Sequence, residues 1–366
     1  MKLITIIGAR PQFIKAAPFS EVFRKENEEI LIHTGQHYDV NMSDIFFEEL
    51  GIPKPDYNLG VGSGCHGAQT GHMLEKIEEI IIKGKPDGLL VYGDTNSTLA
   101  GALAASKLHV PVFHVEAGLR SYNKLMPEEQ NRIITDHISD LLLCPTHTAV
   151  DNLKKEGLIT GVINTGDVMY DAVIRNTELS NKKYADGSWL RELIKENNKK
   201  IDLKENEYYL ATIHRAENTD DLKKIRNIFG AFSKMDRPVL IPLHPRTYKI
   251  IMEQNIPTDN ILIINPVGYL LMLYLTANAY MVITDSGGLQ KEAYFLKTPC
   301  TTLRDQTEWV ETLQNDWNVL STIDVDRILK IVNRDLTCLQ YSQPLLFGDG
   351  HAAEHICHAL VKWRKV

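Results

Sequence analysis

The stretch MKLITIIGARPQFIKAAPFS, residues 1–20, predicts a buried strand that passes through one turn directly into a helix. The apolar run ends at Gly8, and Pro11 suits the first helical turn. A nucleotide-binding α/β unit usually begins in this way, but the G-x-G-x-x-G dinucleotide fingerprint is absent. Arg10 and Lys15 stand where that fingerprint has glycines and small residues. The turn therefore predicts a site for an anion rather than for a dinucleotide.

The composition is that of an ordinary globular protein. The chain has 366 residues, of which 43% are hydrophobic and 24% charged, and its formal net charge is −7. This length favours two domains, and the negative charge gives no general electrostatic basis for binding nucleic acid. No apolar run approaches the ~20 residues of a membrane span, and the chain starts on a strand rather than a signal peptide. Five scattered cysteines without a C-x-x-C motif favour a reduced, cytoplasmic protein.

Short apolar runs alternate with helical patterns in two series, separated by the polar segment 178–207. The first series is ITIIG, EILIHTG, DGLLVYGD, VPVFHVEAG, DLLLCPT and GVINTG, and the second is YYLATIH, PVLIPLH, NILIINPV, YMVITDSGG and PCTTL. Continuous apolar runs indicate strands buried on both faces, hence parallel sheets covered by helices. We expect an α/β protein with two doubly wound, Rossmann-like domains facing each other across a cleft, at 1–170 and 171–350. The last helix, about 351–366, can pack back on the first domain.

Polar side chains follow the predicted strands at the ends where parallel sheets bind ligands. Because such groups occur in both halves of the chain, we expect an active site in the cleft between the domains. The candidates are Arg10, Lys15, Gln36, His37, Asp94, Glu116, His214, Arg215, His244 and the run from Asp285 to Gly288.

The segment DSGGLQKEA predicts a nucleotide site at the start of a helix. Ser286, Gly287 and Gly288 follow a strand directly, so backbone N–H groups can approach a ligand closely, and a helix N-terminus favours phosphate. Glu292, one turn into the helix, can accept hydrogen bonds from ribose hydroxyls. The alternative is a plain strand-to-helix turn whose glycines serve only steric needs.

Three carboxylates are candidate acid/base groups. Asp94 in GDTNST has a simpler alternative as a helix N-cap, and Glu128 in MPEEQNR as a charged first helical turn. Glu116 ends a buried apolar strand, where a carboxylate needs a partner or a task. We expect no metal, because three histidines on one face of the last helix have no fourth ligand: His351, His355 and His358.

Six stretches together resemble the non-hydrolysing UDP-N-acetylglucosamine 2-epimerases, which have the GT-B fold. They are GARPQFIKAAP, GDTNSTLAGALAA, HVEAGLRS, MPEEQNR, HRAEN, and DSGGLQKEA with LRDQTE, in that order over residues 8 to about 308. The resemblance implies an isomerase that uses no cofactor and inverts C2 of a UDP-2-acetamido sugar. The family's route is anti-elimination of UDP to a 2-acetamidoglucal, followed by re-addition. A homodimer is also implied.

The resemblance assigns roles by motif position. It implies acid/base and charge-stabilising roles for Asp94, Glu116, Glu128 and His214. It implies UDP binding by Arg10, Lys15, Arg215, His244, Ser286, Gly287, Gly288 and, at the ribose, Glu292. One cation of the usual HRRE motif is absent, and the loop GVGSGCHGAQTG lacks the arginine with which some members bind an activating UDP-sugar. Allosteric activation is therefore not expected.

Two substrates stay open at this point. The short SYNKLMPEE loop and the TEWVE segment look like the branch that acts on UDP-2,3-diacetamido-2,3-dideoxyglucuronate, while the rest fits UDP-N-acetylglucosamine equally. A hydrolysing 2-epimerase, a GT-B glycosyltransferase and a non-catalytic UDP-sugar sensor are the competing functions.

Overall fold

The computed structural model describes residues 1–36, 51, 53–197, 201–340 and 343–363, so His37 lies outside the described residues. The chain divides into a first unit, Met1–Arg175 with Leu345–Val366, and a second unit, Asn176–Pro344. Within the described residues, no helix combines the length and the apolar character that crossing a membrane requires.

The first unit is built on one parallel sheet. Its strands are β1 (Lys2–Ile7), β2 (Glu28–His33), β3 (Tyr57–Asn58), β4 (Gly88–Tyr92), β5 (Val112–Val115), β6 (Leu141–Cys144) and β7 (Val162–Asn164). They lie in the order β3-β2-β1-β4-β5-β6-β7. Every residue of β4, β5 and β6 is buried, as expected of strands covered on both faces.

Helices connect these strands and cover the sheet. They are α1 (Arg10–Phe23), α2 (His66–Gly84), α3 (Asn96–Lys107), α4 (Pro127–Ile138) and α5 (His147–Lys155). The next helix, α6 (Val168–Tyr184), follows β7, and the boundary between the two units, after Arg175, lies within it. Pro11 lies in the first turn of α1, as the sequence predicts. The N-cap of α3 is Thr95, whose side chain accepts from the backbone N–H of Thr98. The N-cap is therefore Thr95 and not Asp94, so the alternative interpretation of Asp94 as a helix N-cap is wrong.

The second unit repeats this architecture. Its strands are β8 (Tyr209–Thr212), β9 (Val239–Pro242), β10 (Ile261–Ile264), β11 (Met281–Thr284), β12 (Cys300–Thr302) and β13 (Asn318–Leu320). Its helices are α7 (Ser188–Asn197), α8 (Ala216–Thr219), α9 (Leu222–Phe232), α10 (Pro245–Glu253), α11 (Tyr269–Ala277), α12 (Gly287–Phe295) and α13 (Val325–Val332). The strand order is β10-β9-β8-β11-β12-β13, all parallel.

Both sheets therefore have the Rossmann strand order, 3-2-1-4-5-6, with a seventh strand on the first. The predicted pair of doubly wound parallel sheets is confirmed. In each sheet the order reverses once, between β1 and β4 and between β8 and β11. These two switch points are where such sheets bind ligands, at the carboxyl ends of the strands.

The last helix, α14 (Ala352–Trp363), belongs to the first unit. Asp171 of α6 accepts hydrogen bonds from the backbone N–H groups of Ala352 and Ala353, at 3.1 and 2.7 Å. At the other end of the helix, Trp363 packs edge-on against Phe113 of β5. A carboxylate at the N-terminus and an aromatic contact near the C-terminus thus fasten the helix to the core.

Candidate active site

Gln12 joins the two turns at the switch point of the first sheet. The side chain is only 2% exposed, and all of its hydrogen-bonding capacity is used. Its Oε1 accepts from backbone N–H groups in the turn after β1, and its Nε2 donates to oxygens in the turn after β4. The donors are Gly8 and Ala9, at 2.8 and 3.1 Å, and the acceptors are Tyr92 O, Thr95 Oγ1 and Thr98 Oγ1, at 2.8, 3.0 and 3.0 Å. The turns that carry Arg10 and Asp94 are therefore held as one piece.

Replacing Gln12 by Glu is expected to lower the free energy of unfolding of the first unit by about 2–3 kcal/mol. The carboxylate keeps the bonds to Gly8 and Ala9 but turns an oxygen toward the Tyr92 carbonyl in place of a donor. Urea unfolding measures the change. Gln130→Glu is the matched control, because that exposed amide also donates to a carbonyl, that of Lys124. Equal unfolding midpoints for both variants would contradict this role of Gln12.

Glu116 and Lys15 form a buried ion pair. Their side chains, 8% and 7% exposed as residues, contact directly through Oε2 and Nζ. Glu116 has φ of 71°, a left-handed conformation that costs free energy in a residue with a Cβ. A Cβ on Gly93 would lie 3.1 Å from Glu116 Oε2, so the carboxylate rests against the turn after β4. A carboxylate at the end of a buried strand needs a partner, and for Glu116 Lys15 is such a partner.

Asp94 is held by Arg132 of α4, whose Nη2 contacts Asp94 Oδ2. The other guanidinium nitrogen, Nη1, lies 3.0 Å from Glu129 Oε2. Glu129 is buried and accepts from the backbone N–H groups of Ser121 and Tyr122 at 2.9 and 2.8 Å, so it fixes the loop between β5 and α4. In the neighbouring pair of acids, Glu129 is therefore the inward-facing member and Glu128 is exposed.

In the second unit, Asp285 connects the turns at the switch point. It is fully buried directly after β11 and accepts from the backbone N–H of Arg215 and the amide of Asn218, at 3.1 and 3.0 Å. His214 adds its backbone N–H at 3.2 Å and its ring Nδ1 at 3.1 Å. Burial by itself raises the pKa of Asp285, but His214, Asn218 and Arg215 together lower that pKa below its ordinary value. The carboxylate is thus ionised and orients the half-exposed ring of His214.

The turn after β11 is shaped by a second carboxylate. Ser286 caps α12, with Oγ accepting from the N–H of Leu289 at 3.3 Å. A Cβ on Gly287 would lie 2.6 Å from Glu308 Oε1, so a larger residue there would displace the Glu308 carboxylate. Glu308 is in turn paired with buried Arg304 at 2.9 Å. A Cβ on Gly288 would have no neighbour closer than 3.8 Å.

The remaining predicted residues lie at the ends of strands or helices. Arg10 is half-buried at the start of α1, and Arg215 lies 3.8 Å from Glu217. His244 is the exposed N-cap of α10, and Glu292 is buried in α12. On the last helix, His355 Nδ1 lies 3.2 Å from Thr165 O, while His351 pairs with Glu354 at 3.7 Å. In the part of the chain that the structure describes, no three His, Cys, Asp or Glu side chains are grouped to hold a metal.

Sequence reasoning placed Asp285 among the candidates at strand ends but gave it no role of its own, and it gave none to Gln12 or to the pair of Arg304 with Glu308. Asp285 carried the signal already used for Glu116, a carboxylate directly after a buried apolar strand. Gln12 carried none, because Tyr92, Thr95 and Thr98 lie 80 or more residues away. Glu129 could not be distinguished from Glu128 beside it.

The chain matches known proteins over almost all of its length. The family model for UDP-N-acetylglucosamine 2-epimerase matches residues 21–361. A "UDP-N-acetylglucosamine 2-epimerase homolog" of Methanococcus maripaludis is 51% identical over 98% of this chain and 99% of its own. The "UDP-2,3-diacetamido-2,3-dideoxy-D-glucuronate 2-epimerase" of Pseudomonas aeruginosa is 48% identical over 99% of this chain and 100% of its own. A crystal structure of Methanocaldococcus jannaschii UDP-GlcNAc 2-epimerase with UDP-GlcNAc and UDP has a TM-score of 0.87 at 42% identity, covering 99% and 100% of the two chains.

Proposed function

We propose that this chain, which belongs to the UDP-N-acetylglucosamine 2-epimerase family, inverts C2 of its UDP-2-acetamido sugar by eliminating and re-adding UDP. It is an isomerase that acts on a UDP-sugar. The observation that carries the proposed mechanism is the placement of two carboxylates, each held by a cation, after the adjacent strands β4 and β5. Asp94 is paired with Arg132 and Glu116 with Lys15.

The reaction requires acid/base groups because the C2 hydrogen has no adjacent carbonyl to make it acidic. A base takes the proton from C2, the C–H electrons form the C1–C2 double bond, and the C1–O bond breaks with its electrons on UDP. The return step adds a proton to the opposite face of C2 while UDP re-forms the bond to C1. Two carboxylates meet the need for one proton-handling group on each face. We assign Asp94 and Glu116 to these two proton transfers. We assign Glu128 and His214 to stabilising the charge that develops during the reaction.

The Lys15 ammonium pairs with Glu116. Opposite charges in contact favour the ionised carboxylate, which is the form that a base requires. We assign UDP-binding roles to Arg10 in the first unit and, in the second unit, to the N-terminus of α12, where Ser286, Gly287 and Gly288 can present backbone N–H groups to a diphosphate. Glu292, buried one turn further along the same helix, is assigned to the ribose. Arg215 and His244 complete the proposed UDP-binding set.

The substrate is proposed to be either UDP-N-acetylglucosamine or UDP-2,3-diacetamido-2,3-dideoxyglucuronate, which the two relatives named above support equally. Both sequence segments that distinguish these branches contact residues of the proposed site. In TEWVE, Glu308 lies against Gly287, and the Trp309 ring lies 3.6 Å from the Lys291 ammonium. In SYNKLMPEE, Glu129 lies 3.0 Å from Arg132, which holds Asp94.

Incubation with each UDP-sugar in D2O, followed by NMR of the products, tests the function. We expect deuterium at C2 of an intact UDP-sugar, in both the gluco and manno forms, with one of the two substrates. Free sugar with released UDP would instead indicate the hydrolysing reaction. Inertness toward both sugars until an acceptor is added would overturn the proposal in favour of a glycosyltransferase.

We further propose a homodimer, which the family resemblance implies, and a cytoplasmic location, which the cysteines support. Among the described residues, Cys65, Cys144, Cys300 and Cys357 are free thiols. Sedimentation at increasing protein concentration tests the dimer.

A further inference from the structure

His114 of β5 lies between two oxygen atoms inside the first unit. The residue is fully buried, its Nδ1 lies 2.7 Å from Asp136 Oδ1, and its Nε2 lies 2.7 Å from the carbonyl oxygen of Gly93. A carbonyl oxygen can only accept a hydrogen bond, and so can an ionised carboxylate. If Asp136 is ionised, both ring nitrogens must therefore carry hydrogen.

Asp136 has the surroundings of an ionised group. Its second oxygen, Oδ2, accepts from Arg120 Nη1 at 2.7 Å and from the backbone N–H of Gly118 at 3.2 Å. A protonated carboxyl could place its hydrogen only on Oδ1, toward His114 Nδ1, and would leave the Arg120 guanidinium facing a neutral group.

The charged groups around His114 are compatible with a positive ring. Arg120 binds Glu156 through both Nε and Nη2 at 2.7 Å, so this cluster contains two carboxylates and one guanidinium. From the neighbouring strand β6, Cys144 adds no charge, because burial raises the pKa of its thiol. The Lys15 and Glu116 pair, beyond Gly93, is neutral as a whole. With Glu156, whose side chain is 28% exposed and also lies 3.5 Å from His137 Nε2, a positive His114 brings the formal charge of Asp136, Arg120, Glu156 and His114 to zero.

We infer that His114 is a doubly protonated imidazolium whose Nε2–H fixes the Gly93 carbonyl and so positions Asp94 and Glu116. The inference rests on the proposed function of those two carboxylates. Gly93, at φ of 63°, is held to β5 by both of its backbone groups, because its N–H also donates to Val115 O at 3.0 Å. Asp94 is the next residue, and Glu116 lies against Gly93. His114 is thus a positioning residue, which contacts neither the sugar nor the diphosphate.

Nitrogen-15 NMR of the full chain with labelled histidine tests the protonation state. We expect both ring nitrogens of His114 to have protonated shifts near pH 7. The His114→Asn variant identifies the signals. A neutral tautomer of His114 near pH 7 would overturn the inference. This readout needs no turnover, so it stands even if the chain lacks 2-epimerase activity and the proposed function fails.

A matched pair of variants tests the positioning role. The amide of Gln has its donor near the place of Nε2 and can still reach Gly93 O, whereas that of Asn lies near Nδ1 and can reach only Asp136. We expect His114→Asn to lower kcat for C2 deuterium exchange by about 100-fold and His114→Gln by less than about 10-fold, with KM and the UDP Kd little changed. Equal losses in kcat would reduce His114 to a structural role and overturn the inference. Circular dichroism and unfolding midpoints establish that both variants fold.

Asp136→Asn separates the charge of the ring from its position. The amide that this substitution introduces can donate to Nδ1 of His114, so a neutral ring can keep its Nε2–H on Gly93. We expect this variant to lose the doubly protonated NMR signature while keeping kcat within about 10-fold of the wild type. Persistence of the doubly protonated signature beside the substituted amide would contradict the pairing on which the inference depends.

Discussion

Glu116→Gln is expected to reduce the rate of deuterium exchange at C2 by about a thousandfold, and Asp94→Asn by a similar factor. Neither amide can take up a proton from carbon or return it. The UDP-binding groups proposed in the second unit are unchanged, so UDP affinity should stay close to that of the wild type. The exchange rate in D2O and the UDP Kd from calorimetry measure the two quantities separately. Turnover within tenfold of the wild type in either variant would remove that residue from the acid/base set.

The loss in Glu116→Gln has to be separated from a loss of stability. The substituted amide leaves the Lys15 ammonium buried without its counter-charge, and breaking a buried pair in this way costs about 3–5 kcal/mol. Combining Lys15→Met with Glu116→Gln removes both charges and should restore the unfolding midpoint without restoring turnover. Glu21→Gln is the matched control, because Glu21 forms an exposed ion pair with Arg175 at 3.0 Å and should leave both stability and turnover unchanged.

The strands were predictable because burial on both faces leaves long apolar runs in the sequence. Two strands left no such run. β3, Tyr57–Asn58, has only two exposed residues, and β13, Asn318–Leu320, begins with a polar residue. Both lie at the edge of their sheet, where pairing on one side is enough and hydrophobicity is not required.

The sequence predicted that the site residues follow the strands, but it did not predict which side chains pair with each other. In PEEQNR the sequence cannot tell which acid faces inward, since that depends on where α4 packs, and the structure turns Glu129 inward and Glu128 outward. His114 lies inside the apolar run VPVFHV and has the pattern of a core residue. Its partner Asp136 is 22 residues away, a distance over which periodicity carries no information.

Asp285→Asn is the variant in the second unit with the largest expected effect, a loss of about 100-fold in kcat/KM. The two carboxylate oxygens of Asp285 face only donors: N–H groups of His214 and Arg215, the Asn218 amide and His214 Nδ1. The amide of Asn has one oxygen, which can accept hydrogen bonds from only some of these donors. Its NH2 group would face the remaining donors and could not accept from them. The turn after β8 must then move, and the ring of His214 with it. Kinetics with the active UDP-sugar measure the loss.

The same substitution has a pH signature, because the folded pKa of Asp285 is lower than the unfolded one. A depressed pKa stabilises the fold above the unfolded value of about 3.9, and the stabilisation disappears as pH falls through the folded value. The wild type should therefore unfold at higher urea than Asp285→Asn from neutral pH down to about pH 5, and the gap should close in stronger acid. Asp236→Asn is the control, since Asp236 is exposed and accepts from Tyr209 in the same unit. Its turnover should be that of the wild type. A gap between wild type and Asp285→Asn that stayed constant into strong acid would show that the Asp285 carboxylate is not the source of the stabilisation.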